Sequence, residues 1–230
     1  MSQAKSLLPS RYKFVTKRET TENLVRFVYA SEGVGLHLEP YPYSEEITHI
    51  PFGETIKLTS SNYEIRSNYK WYKVDYEDKT LYISEKWIGV FPPPFKIETI
   101  DFYAERLKEN DFDVEIDIYN MEDRQEFKLL FPSENMREIF NIASLLYPMD
   151  FKYPRKSNMM EEVLTKINND KDIYEEFEVT RNTNEEVIML DYVADFGISS
   201  DSITLRLRSD GMILLVLGSY CQEHKPLEGH

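Results

Sequence analysis

Cysteine occurs once in the 230 residues, as Cys221, so no intramolecular disulfide can form. Histidine is nearly as scarce. There are four, none lies between 97 and 222, and no Cys/His cluster has the spacing of a zinc site. A cysteine–histidine hydrolase centre in the C-terminal half is thereby excluded. Glycine is 8 of 230, with neither a Gly-rich phosphate loop nor a Gly-x-Ser-x-Gly elbow. No run approaches the roughly 18 apolar residues that a membrane-spanning helix needs. The start, Met1-Ser2-Gln3-Ala4-Lys5, lacks the apolar segment of a signal peptide.

Positive charge is also short. Lys and Arg number 27 against 41 Asp and Glu, for a net charge of −14. The deficit is uneven: residues 96–222 carry 14 basic and 27 acidic side chains. Such a segment repels phosphate backbones and anionic headgroups, which argues against nucleic acid as a partner. No cofactor, metal or catalytic set is expected from these residues.

What is present is aromatic and strand-like. Tyr (16) and Phe (13) are abundant, and large rings suit short strands and small cores. Residues 1–23 read as a polar, basic arm. Residues 24–91 alternate in short runs broken by turns. Leu36 and Leu38 bracket His37, Ile56 and Leu58 follow Pro51-Phe52-Gly53, and Trp71 to Tyr76 returns through Glu77-Asp78-Lys79 into Thr80 to Ile83. Phe91-Pro92-Pro93-Pro94-Phe95 marks a boundary, and residues 92–96 are expected to be a stiff, extended linker.

Residues 97–222 have another texture. A helix is predicted after Thr99, with Ile100, Tyr103, Ala104 and Leu107 on one face. A hairpin is predicted from Val114–Tyr119 and Phe127–Phe131. A second helix is predicted after Ser133, and a third from about Ser157, burying Met160, Val163, Leu164 and Ile167. Four further strands follow, with Ser209-Asp210-Gly211 as one turn. The expectation is an acidic α+β domain with an antiparallel sheet and about three helices. Cys221, after an apolar run, reads as a buried small hydrophobe. Residues 223–230 read as a tail, partly vector-derived.

Ala30, Gly33, Leu36, Leu38 and Pro40, then Ile47, Ile50, Pro51, Gly53 and Ile56, then Trp71, Lys73, Val74 and Tyr76, then Tyr82, Ile83, Ser84, Trp87 and Ile88 occur in one order and spacing. On these positions residues 27–90, about a quarter of the chain, resemble the bacterial SH3-like (SH3b) domains. The resemblance implies an all-β small barrel, and hence a two-domain chain of barrel and α+β domain. It further implies a bacterial binding module, exported with its signal absent here, that docks on cell-wall peptidoglycan or a peptide. A cytoplasmic location remains the rival reading.

The chain departs from that pattern. Glu39 stands where an arginine is usual, Leu81 replaces a glycine, and residues 59–70 form a longer connection. Aromatic stacking is therefore expected in place of salt-bridge recognition. The candidate ligand-binding residues are Tyr41, Tyr43, Trp71, Tyr72, Tyr82, Trp87 and His37. Trp71, Tyr82 and Trp87 serve equally well to close a core.

The acidic domain would then be a surface for a protein partner. Two other readings stand beside this one. One is a carboxylate-based hydrolase, drawing on Glu115 and Asp117, or on Asp191, Asp195, Glu185 and Glu186. The other is a cytoplasmic adaptor or immunity-type protein whose acidic face neutralises a basic partner.

Overall fold

The computed structural model describes residues 24–66, 69–96, 98–121, 123–147, 151–155, 157–168, 173–197 and 199–221. The arm at 1–23, Gln222 and the tail at 223–230 lie outside these.

Eight short strands come first: β1 (Val25–Val28), β2 (Val34–His37), β3 (Glu46–Ile50), β4 (Thr55–Lys57), β5 (Tyr63–Arg66), β6 (Tyr69–Tyr76), β7 (Lys79–Ser84) and β8 (Ile88–Gly89). A single 3-10 turn, Glu85–Trp87, joins the last two and is capped by the Ser84 hydroxyl. The strands form two sheets, β4-β1-β8 and β3-β2-β7-β6-β5. Val28, Val34, Leu36, Ile56, Leu58, Val74, Leu81, Ile83 and Ile88 fill a small core between them. Period-two alternation places Val74 and Leu81, register partners across β6 and β7, on this inner face.

The second part contains α1 (Ile100–Glu109), β9 (Glu115–Asn120), β10 (Arg124–Phe131), α2 (Met136–Leu146), β11 (Glu161–Asn168), β12 (Ile173–Arg181), β13 (Val187–Asp195), β14 (Ser199–Leu207) and β15 (Ile213–Cys221). Its strands make one antiparallel sheet of seven, ordered β11-β12-β13-β14-β15-β10-β9. Phe127, Leu129 and Phe131 on β10 face Leu217, Leu215 and Ile213 on β15, and all six are buried on the inner face. Helix α2 covers them with Met136, Ile139, Phe140, Ile142 and Ala143. Each of its large side chains contributes about 1.5–3 kcal/mol by burial. The other face of the sheet carries Glu176 and Glu178 on β12, Asp191 and Val193 on β13, Thr204 and Arg206 on β14, and Lys128 on β10.

This architecture corrects the expected one. Among the described residues strands account for 51% and there are only two short helices, and the three sheets are not an SH3-like barrel followed by a three-helix α+β domain. Two physical reasons account for the difference. The first is that the large core does not stop at the proline run. Phe27, Tyr29 and Phe91 join Tyr103, Leu107, Phe127 and Phe131 in one cluster, so the sheet containing β1 and β8 turns its other face to the second part. The second is that the predicted third helix is strand β11, paired to β12 over its whole length. Val163, Thr165 and Ile167 are β-branched at every second position. That favours a strand over the helical spacing of Met160, Val163, Leu164 and Ile167.

Candidate functional site

Alternation on β6 separates the candidate aromatics. Tyr72 shares a face with Val74 and packs on the small core, opposite Ile83. Trp71 points the other way, and so do Lys73 and the residues registered with it on β7, Tyr82 and Ser84. His37 is the register partner of Tyr82. Its ring meets Trp71 edge-on at 5.6 Å between centroids. His37, Trp71 and Tyr82 therefore lie together on the outer face of the five-stranded sheet, and Tyr72 does not.

Trp71 is only 3% exposed even there, because Nε1 donates to the Arg66 carbonyl at 3.3 Å and the ring is covered. It holds the face in place. The Tyr82 hydroxyl is 3.4 Å from Glu64 Oε1, with the Lys73 ammonium 5.8 Å from the ring centroid.

The loop between β2 and β3 folds back on this face. His37 Nδ1 lies 3.1 Å from the Ser44 carbonyl, and the Ser44 hydroxyl accepts from the Glu39 N–H at 2.9 Å. The loop presents Tyr41 and Tyr43 edge to face, 5.4 Å between ring centroids. Tyr43 is 86% exposed, the most exposed large apolar side chain described.

Trp87 stands elsewhere, at the seam between the two parts. Asn141 of α2 donates to the Lys86 carbonyl at 3.5 Å, which seats the 3-10 turn on the helix. Lys86 Nζ is 4.1 Å from the Trp87 ring and 5.8 Å from the Tyr69 ring. Arg137 Cζ is 5.9 Å from the Tyr69 ring and 4.3 Å from that of Tyr153. Tyr69, Lys86, Arg137 and Tyr153 were not candidates from the sequence. They come from separate segments that only the fold joins, and the adjacency of Lys86 and Trp87 is the one local sign.

The same seam is closed by a buried carboxylate. Glu138, 2% exposed, accepts the backbone N–H groups of Val90 and Phe91, and the Tyr29 hydroxyl is 3.4 Å from it. Burial pushes its pKa up to about 7, against the pull of those two N–H donors. Gly89 is required beside it, since a Cβ would overlap the Tyr29 ring and the Glu138 carboxylate. Residues 92–94 are extended, as their prolines dictate, and they are buried. The Pro92 carbonyl accepts from Tyr103 and the Pro93 carbonyl from Arg106, both at 3.0 Å.

The acidic candidates do not converge. Asp191 and Asp195 share a face of β13, but Asp195 accepts from the Gly197 N–H at 2.7 Å and so shapes a turn. Glu185 occupies a left-handed turn position with φ of 63°, and Glu186 accepts from Asn182 in the same turn. Glu115 and Asp117 lie exposed on the edge strand β9. Among the described residues no three His, Cys, Asp or Glu side chains are grouped to hold a metal ion. Two open hollows lie on the outer face of the large sheet. Arg124, Ser202 and Gly218 line one; Tyr119, Arg124 and Lys128 line the other. Cys221 is exposed at the end of β15, not buried as expected. No described helix is long and apolar enough to cross a membrane.

Comparison with protein-family models, with curated proteins and with solved structures found no match for this chain.

Proposed function

We propose that this chain is a non-enzymatic binding protein that docks on cell-wall peptidoglycan, or on a peptide, through the aromatic face of its N-terminal sheets. The observation that carries the reading is the Tyr41–Tyr43 pair, held edge to face on a braced loop with Tyr43 almost fully exposed. Two neighbouring exposed rings offer an apolar surface that a ligand can cover, and rings that already contact each other stack on sugar or proline faces with less entropy to lose. His37, which meets the Ser44 carbonyl of that loop, and its register partner Tyr82 supply polar groups on the adjoining sheet face.

The acidic second part serves as the surface for a protein partner, and its charge disfavours nucleic acid. Export belongs with the same reading. The choice of wall polymer rests on the residues shared in order with bacterial SH3-like domains, whose barrel this chain does not form.

The test is sedimentation of the protein with purified peptidoglycan at low salt. The chain is expected in the pellet, and the Tyr41→Ala/Tyr43→Ala variant in the supernatant. A wild-type chain that stays in solution overturns the wall-binding reading.

A further inference from the structure

Strand β11 is the longest sheet-edge strand among the described residues, eight residues against six for β9 and five for β3. It is also apolar and open. Val163 and Ile167, on the face that carries Glu178 and Tyr174, are 55% and 65% exposed. Leu164, on the face of Phe177, is exposed too. Neither a proline nor a bulge interrupts the strand. Native edges usually carry such a device, because an open edge recruits another strand.

The outward backbone groups can be assigned residue by residue. The Met160 carbonyl accepts the Arg181 N–H at 2.8 Å, so the even-numbered residues of this ladder bond to β12. The N–H and C=O groups of Glu161, Val163, Thr165 and Ile167 therefore point away from the sheet. An antiparallel strand laid on them must offer its own outward groups at the same spacing.

A second β11 meets that demand. Turned about a two-fold axis through Leu164, it sets Glu161 opposite Ile167 and Val163 opposite Thr165 as the bonded pairs, and repeats them on the other side of the axis. Leu164 then meets Leu164. Glu162 of each copy stands opposite Lys166 of the other, so the single cation of the strand meets a carboxylate at both ends of the contact. Glu162 is already held by Arg181 at 2.8 Å, which fixes the carboxylate in advance. An axis perpendicular to the sheet keeps each face on its own side, so Val163 and Ile167 of both copies share one apolar surface. Strand β9, at the opposite edge, has no such self-complement: it carries Glu115 and Asp117 and no cation.

We propose that the chain forms a two-fold dimer through β11, which joins two seven-stranded sheets into one. The contact belongs to the second part of the chain and does not depend on the wall-binding reading.

Sedimentation velocity on the whole chain, across about 1–100 µM, tests it. A species of twice the monomer mass is expected to grow in with concentration. Thr165→Pro removes an outward N–H and no bond to β12, so it should abolish the dimer while circular dichroism shows the fold kept. Lys166→Glu sets acid opposite acid at both ends and should raise the dissociation constant about tenfold. Lys166 is exposed, so that variant reports on association even if the proline loosens the strand. Leu164→Cys in a Cys221→Ser background should cross-link two copies under mild oxidation, and Ile167→Cys should not.

A monomer over the whole range overturns the proposal. So does a dimer that Lys166→Glu, or Thr165→Pro with its fold kept, leaves as tight as the wild type. A series of ever larger species growing with concentration would mark a head-to-tail contact and overturn the two-fold pairing. Cross-linking through Ile167→Cys and not through Leu164→Cys overturns the axis at Leu164.

Discussion

Glu138 on α2 accepts the backbone N–H of Phe91 at 2.9 Å, so a carboxylate from the second part of the chain caps the last residues of the first. Its pKa is pushed up to about 7 from an ordinary 4.5, chiefly by burial. A carboxylate with a raised folded-state pKa binds its proton more tightly folded than unfolded. Its contribution to stability is therefore full below about pH 4.5 and is lost as pH rises to about 7. The size is on the order of 3 kcal/mol. Glu138→Gln keeps the acceptor at Oε1 and removes the titration. Urea unfolding at pH 5 and pH 8 should show the variant gaining on the wild type as pH rises. A stability difference independent of pH would sink this account.

Arg106 and Glu98 form a bidentate pair beneath the proline segment, with Nε to Oε1 at 2.8 Å and the second contact at 2.6 Å. Both side chains are under 10% exposed, and Arg106 also stacks over Phe95 at 4.4 Å. Removing either partner leaves a buried charge alone, at a cost of about 3–5 kcal/mol. Arg106→Met and Glu98→Gln should each be strongly destabilising, and the double variant less so than their sum. Additive costs in chemical denaturation would show that the pair does not act as a unit.

His49 is bonded to two acceptors that cannot donate, the Glu32 carbonyl at Nε2 (2.6 Å) and the Glu46 carboxylate at Nδ1 (3.0 Å). Both ring nitrogens must then carry protons, which raises the histidine pKa, the carbonyl contact contributing most. The bond is full below the ordinary histidine value of 6.5 and is lost as pH rises through the raised one. It spans the turn at Gly33, whose φ of 82° and closeness to the His49 ring admit no side chain. Proton NMR should place the His49 titration above 6.5, and Glu46→Gln should move it down. A midpoint that Glu46→Gln leaves in place would remove the carboxylate from the explanation.

Much of the strand pattern was legible because alternation is a local property. Trp71 and Tyr72 are neighbours and must face opposite ways, and Tyr41 and Tyr43 sit beside prolines in a loop. The misread segment, 161–168, satisfies both periods. Only its partner strand β12, with Phe177 and Val179 facing it, decides between them. The missing barrel has a similar cause. Nothing local in Phe27 or Tyr29 says that they pack on Phe91 and Tyr103 across the proline run. The cations at the seam were equally hidden, since Lys86 and Arg137 reach the same Tyr69 ring only because Asn141 of α2 docks on a turn 55 residues away.

Tyr43 and Trp71 should separate ligand contact from support of the face. Tyr43 is in solvent and its ring meets only Tyr41 among the described aromatic rings, so Tyr43→Ala should change stability by no more than about 0.5 kcal/mol. Trp71 is buried against His37 and anchored to the Arg66 carbonyl, so Trp71→Ala should cost about 3–5 kcal/mol. Tyr72, on the inner face with Val74, should behave like Trp71 and not like Tyr43. Thermal unfolding and peptidoglycan sedimentation on the three variants resolve the roles. Tyr43→Ala should release the chain from the wall polymer at unchanged melting temperature. Tyr72→Ala should lower the melting temperature while the fraction still folded goes on binding. If Tyr43→Ala binds as the wild type does while Tyr72→Ala, still folded, does not, the ligand face lies on the other side of the sheet from Trp71.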